Sequence, residues 1–227
     1  LQNYLKSAVK MQLELKLPNL TTKEGGKLSK QDVERPLFQK ILSDLVAMNN
    51  VYLFGGAGTG KTFMAEQIAE FMDWDFVLLS CNQFTSQLDI LGGQTVEGYQ
   101  RGKLEMAWGN IDEKGNPTGR GAVLCLDELP KIDPNTAGIL NAALAAVKNY
   151  KDGTDGKVMA PTILNGKNER IPKGNLIIIG TGNVKLNEMS TEYEANFKQD
   201  LSLQDRFVGS TYEVGVDYKF EAGKIMK

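Results

Sequence analysis

Gly55-Gly56-Ala57-Gly58-Thr59-Gly60-Lys61-Thr62 has the residue types and order needed to wrap a polyphosphate. Glycines let successive backbone N–H groups converge on phosphate oxygens with no Cβ in the way. The Lys61 ammonium suits the β- and γ-phosphates, and the Thr62 hydroxyl suits Mg²⁺. The spacing fits GxxxxGK[ST] in full, and it directly follows the apolar run Val51-Tyr52-Leu53-Phe54. Gly56, Ala57, Gly58, Thr59, Gly60, Lys61, Thr62 and Phe63 are therefore the expected nucleotide contacts.

Three further groups carry matching chemistry. The run Ala122 to Leu126 ends in Asp127-Glu128. Carboxylates at the carboxyl end of a parallel strand sit where such sheets bind ligands. Asp127 is expected to join Thr62 in holding Mg²⁺, and Glu128 to orient and deprotonate an attacking water. The bland alternative is a solvated acidic strand end. Gly180-Thr181-Gly182-Asn183 follows another apolar run, and Asn183 can both donate and accept. It is expected to align the same water or sense a γ-phosphate, unless it is only a turn residue. Arg206, in Asp205-Arg206-Phe207, belongs to a chain in which lysines far outnumber arginines. A planar guanidinium suits the charge spread over a transferring phosphoryl group. The alternative is a structural ion pair with Asp205 or Asp200.

Positioning these groups requires strands that end where the chemistry begins. Val51–Phe54, Phe76–Cys81, Ala122–Leu126, Leu176–Gly180 and Thr211–Val216 read as five such strands. Near-continuous apolar strands alternating with helical patterns indicate a parallel sheet covered on both faces. Helices are expected from Pro36, over Lys61–Met72 with Phe63, Met64, Ile68 and Phe71 packing inward, and over Ala137–Val147. Leu1 to Lys16 has near-helical apolar spacing, and Pro18 to Lys30 reads as a loop.

Composition narrows the field. The 227 residues are 41% hydrophobic and 24% charged, which suits one globular domain with a sizeable core, or one domain plus a fragment of another. A net charge of −2 provides no global basic field for nucleic acid, although a local basic patch stays open. Histidine is absent, which excludes His-based catalysis and ligation. Cys81 and Cys125 lie in apolar runs and are expected to be reduced core residues. No apolar run reaches membrane-spanning length and no leader pattern opens the chain, so a cytoplasmic protein is expected. No Asn-Lys-x-Asp guanine-reading motif is present.

The order phosphate loop, Leu-Asp-Glu, Thr-Gly-Asn, Asp-Arg-Phe resembles the AAA+ ATPases. More narrowly it is similar to their MoxR-like and dynein-related branch, which includes McrB, CbbQ/NorQ and gas-vesicle GvpN-type proteins. Leu88-Asp89-Ile90-Leu91-Gly92-Gly93 with Gly102-Lys103-Leu104-Glu105-Met106-Ala107 resembles the segment holding that branch's extra helix-2 insert. Lys103 stands where the family usually has proline. Leu164-Asn165-Gly166 to Arg170-Ile171-Pro172 resembles the hairpin before the sensor strand.

The resemblance implies an αβα sandwich with strand order 5-1-4-3-2, ATP or ADP with Mg²⁺ as ligands, and a ring, usually a hexamer. It implies that Arg206 serves the neighbouring subunit's site and that a protein client is remodelled. It divides the chain into an N-terminal helix and loop (1–34), a nucleotide-binding core (35–216) and the start of a helical lid (217–227). The rest of that lid, with its second sensor arginine, is expected to be missing. A DNA-associated motor of the McrB type and a nucleotide-dependent assembly switch are the alternatives. Polar tips at Thr95–Arg101 and Asp152–Lys167, with Tyr99, Gln100, Met159 and Lys167, are expected either to grip a partner or to be solvent loops.

Overall fold

The computed structural model describes residues 30–145, 150–151, 158–159, 161–186, 199 and 201–215. The helical pattern at Leu1–Lys16, the end of the chain after residue 215 and part of the second polar tip lie outside them. Lys30, read as loop, instead opens a short helix α1, Lys30–Glu34. Helix α2, Pro36–Val46, begins on a proline whose fixed φ suits the first helical position, and it buries Phe38, Ile41, Leu42 and Leu45.

Five parallel strands form the central sheet: β1 Val51–Phe54, β2 Asp75–Ser80, β5 Ala122–Asp127, β10 Leu176–Gly182 and β11 Thr211–Glu213. Their order is β11-β1-β10-β5-β2, which is the expected 5-1-4-3-2 when only these strands are numbered. The last strand is shorter than expected and stops at Glu213, although the Val214 N–H still donates to the Phe54 carbonyl at 2.7 Å.

Period-two alternation sends side chains to two cores. Val123, Cys125, Ile177 and Ile179 face α2 and α3 (Lys61–Met72). Leu124, Leu126, Leu176 and Ile178 face the opposite layer, which includes α4 (Gln87–Leu91), α5 (Lys103–Gly109), α6 (Pro134–Ala145) and α7 (Leu201–Asp205). Helix α6 starts slightly earlier than its pattern suggested, and the last two residues of that pattern, 146 and 147, lie outside the described residues. In α3 the inward face is Met64, Ile68, Phe71 and Met72, whereas Phe63 is 42% exposed. Phe63 precedes that face by one residue, a rotation of about 100° around the helix.

Small hairpins interrupt the sandwich: β3 Gly93–Thr95 with β4 Gly98–Gln100, β6 Tyr150–Lys151 with β7 Val158–Met159, and β8 Thr162–Leu164 with β9 Arg170–Pro172. The first and last are joined through Glu105, which is fully buried on α5. Its Oε1 accepts from Arg101 at 2.6 Å and from Asn165 at 3.0 Å, while Oε2 accepts from the Tyr99 hydroxyl at 3.0 Å. The Lys167 ammonium lies 4.3 Å from the Tyr99 ring centroid. Tyr99, which is half-buried, and Lys167, which stays exposed, therefore tie the two hairpins together. Val96, Glu97, Gln100 and Lys167 itself are exposed there.

Removing one partner from a buried, charge-assisted network costs about 3–5 kcal/mol, because the others stay desolvated and unpaired. Glu105→Ala is accordingly expected to lower the melting temperature by roughly 10 °C at this chain length. Thermal unfolding by circular dichroism checks this, and an unchanged melting temperature would remove Glu105 as the junction.

Candidate active site

The carboxyl ends of β1, β5 and β10 converge on one cleft. After β1 the chain turns through Gly55, at φ 148°, where a Cβ would lie 2.3 Å from the Val214 carbonyl oxygen. Glycine is therefore required, because Val214, just after β11, presses against the base of the loop. The loop then enters α3, so its amides and the positive end of the helix dipole share one direction.

Lys61 is the second residue type in this cleft that matters. It is only 8% exposed, and its Nζ donates to the Gly55 carbonyl at 2.9 Å, the Gly56 carbonyl at 2.8 Å and Asn183 Oδ1 at 3.3 Å. Burial lowers the ammonium's pKa, and the charges of Asp127 and Glu128 pull it back up. The same two acids help burial push the nearby Cys81 thiol up to about 12. Cys81 and Cys125 are both free and buried, as their apolar runs suggested.

Asp127 ends β5 next to α3. Its Oδ1 accepts from the Thr62 hydroxyl and from the Thr181 hydroxyl, each at 2.6 Å. Thr181, fully buried on β10, also accepts from the Glu128 N–H at 3.1 Å. One threonine thus holds the Asp127 carboxylate and the Glu128 main chain against the neighbouring strand. A hydroxyl and a carboxylate side by side are hard oxygen donors and fit Mg²⁺, which takes one or two carboxylates and completes its shell with phosphate and water. Among the described residues no cluster of three His, Cys, Asp or Glu side chains exists that would suit a metal held by protein alone.

Glu128 has φ 55° and ψ 39°, a left-handed conformation that costs a non-glycine residue roughly 1–2 kcal/mol. It opens a single 3₁₀ turn, Leu129–Lys131, and Lys131 Nζ pairs with Glu128 Oε2. Asn183 follows β10, where Gly182 is needed because a Cβ there would lie 2.0 Å from the Tyr52 hydroxyl.

The loop, Lys61, Thr62, Asp127, Glu128 and Asn183 are thus together. Arg206 is not with them. It follows α7, its side chain is exposed, and its guanidinium bonds to none of the described residues, Asp205 included. Its main chain is fixed instead: Asn50 Nδ2 donates to its carbonyl at 3.2 Å, and Phe207 is buried against Tyr52 with ring centroids 5.8 Å apart.

Sequence reasoning missed three positioning residues. Thr181 stood in a quoted motif without a role. Tyr52 reaches from β1 to give its hydroxyl to the Val184 carbonyl at 2.8 Å, beside Asn183. A phenol in an otherwise apolar buried strand was the available signal. Lys131 had only its three-residue spacing from Glu128. A separate cavity of about 820 Å³, bordered by Leu78, Phe84, Arg101 and Lys103, includes none of the cleft's residues. The chemistry, not the size of a hollow, locates this site.

A parallel sheet in this order, with a glycine-rich loop feeding a helix and a hydroxyl–carboxylate pair beside it, defines a P-loop nucleotide-binding fold. The chain belongs to the dynein-related subfamily of AAA domains, whose family model matches residues 50–207. Curated relatives include an uncharacterised protein of Staphylococcus saprophyticus, 26% identical over 56% of this chain and 48% of its own length. An uncharacterised Staphylococcus aureus protein is 26% identical over 79% of this chain and 59% of its own. The chain thus spans about half to three-fifths of the length of these relatives.

Among solved structures, a putative ATPase from Cytophaga hutchinsonii matches with TM-score 0.56 and 15% identity, over 99% of this chain and 56% of that one. NtrX from Brucella abortus, in complex with ATP, matches with TM-score 0.52 and 19% identity, over 90% of this chain and 42% of that one. These likenesses show the fold. Among the described residues no helix is long and apolar enough to cross a membrane.

Proposed function

We propose that this chain is the Mg²⁺-dependent, ATP-hydrolysing core of a MoxR-like AAA+ motor, which assembles as a ring in the cytoplasm and remodels a protein partner. The observation that carries the reading is the shared Asp127 oxygen, which brings Thr62 of the loop helix and Thr181 of the sensor strand to one point. That contact, with the Lys61 hydrogen bond to Asn183 at 3.3 Å, supports a shared role for the loop lysine, both acids and Asn183.

In this reading the loop amides from Gly56 to Phe63 hold the phosphate oxygens of ATP, and Lys61 shifts its hydrogen bonds from loop carbonyls to the β- and γ-phosphates. Thr62 and Asp127 would hold Mg²⁺, which would supply positive charge to offset that of the phosphates. Glu128 accepts a proton from the attacking water while Asn183 holds that water in line with the γ-phosphorus. Arg206, exposed at the far end of α7, serves the site of the next subunit.

Phosphate release from ATP, with and without Mg²⁺, tests the assignment together with binding of a fluorescent ATP analogue. Removing the lysine's charge-assisted hydrogen bonds weakens binding by roughly 10–100-fold, so Lys61→Ala is expected to lose both binding and turnover. Unchanged affinity in Lys61→Ala, or turnover independent of Mg²⁺, would contradict it.

A further inference from the structure

The backbone of Glu128 is held on both sides. Its N–H donates to Thr181 Oγ1 at 3.1 Å, and its carbonyl accepts from the Lys131 N–H at 2.9 Å. None of this fixes the carboxylate, which sits beyond three rotatable side-chain bonds. In a 3₁₀ turn residues three apart eclipse each other, so Lys131 lies directly over Glu128, and its ammonium pairs with Oε2. The turn that carries Lys131 is itself anchored, because Leu129, Pro130 and Ile132 are buried.

We propose that Lys131 is a positioning residue for the reaction: it binds Glu128 Oε2 and leaves Oε1 as the oxygen that takes the proton from water. The inference rests on the assignment of Glu128 as the base. Both side chains are partly exposed, and a pair of this kind contributes little to stability. Its consequence is orientation. A base displaced by an ångström or so loses up to about 100-fold in rate, since the water must lie between it and the γ-phosphorus.

The test compares Lys131→Met and Lys131→Arg with the parent chain, measuring kcat, KM for ATP, affinity for a fluorescent ATP analogue and melting temperature. Methionine keeps the aliphatic stem and removes the charge. Lys131→Met is expected to lower kcat by roughly 10-fold or more, with KM, affinity and melting temperature nearly unchanged. Lys131→Arg is expected to restore most of the rate. In a Glu128→Gln background, Lys131→Met is expected to have no further effect.

An unchanged or raised kcat in Lys131→Met would overturn the proposal. So would an equal loss in the Glu128→Gln background, or a loss confined to KM. If Glu128→Gln itself keeps normal turnover, the base assignment falls and this inference with it. If Glu128→Gln is inactive while Lys131→Met is normal, only the role of Lys131 falls.

Discussion

Glu128→Gln is expected to lower ATP turnover by roughly 10²–10⁴-fold, the range general-base catalysis supplies, while affinity for ATP stays near that of the parent chain. The amide keeps the size of the carboxylate and the backbone bond to Thr181, so the 3₁₀ turn and the fixed Asp127 stay in place. What it loses is the capacity to take a proton, because a neutral amide oxygen is a far weaker base. It also loses the pairing of charge with Lys131. Single-turnover phosphate release beside analogue binding separates the two effects. Retained turnover would remove Glu128 as the base, whereas lost binding would mean that the turn had collapsed.

Arg206→Ala is expected to cost still more, about 10³–10⁵ in turnover, the range for a guanidinium that neutralises a transferring phosphoryl group. The structure gives this side chain no partner among the described residues, yet it fixes the main chain beneath it through Asn50 and the buried Phe207. An exposed arginine on a rigid base is suited to reach into another subunit's cleft. Two inactive variants should then complement each other. Mixing Arg206→Ala with Glu128→Gln pairs an intact Glu128 with a neighbour's intact Arg206, so part of the turnover should return. No recovery on mixing would place Arg206 outside the shared site.

The strands ending in Phe54, Asp127 and Gly182 were legible because buried parallel strands read as unbroken apolar runs, and the chemistry starts where each run stops. Strand order was a different matter. It came from the resemblance, since nothing in local spacing says that β10 lies between β1 and β5. Phe63 shows the limit of helical patterns: an apolar residue one place before the buried face reads like its neighbour but points elsewhere.

Tyr99 and Lys167 read as tip groups because the partner of Tyr99, Glu105, lies on another element. Their ties to one another exist only after the two hairpins meet. Thr181, Tyr52 and Lys131 were hidden for the same reason. Their contacts, with Asp127, Val184 and Glu128 respectively, are properties of the folded chain.

On the proposed reading the chain is an ATPase whose active sites are completed between subunits. Turnover per subunit, measured with Mg²⁺-ATP across protein concentration, tests it most directly. A rate per subunit that climbs steeply with concentration, and stays near zero throughout in Arg206→Ala, is the predicted result. A rate independent of concentration in demonstrably monomeric protein would contradict it.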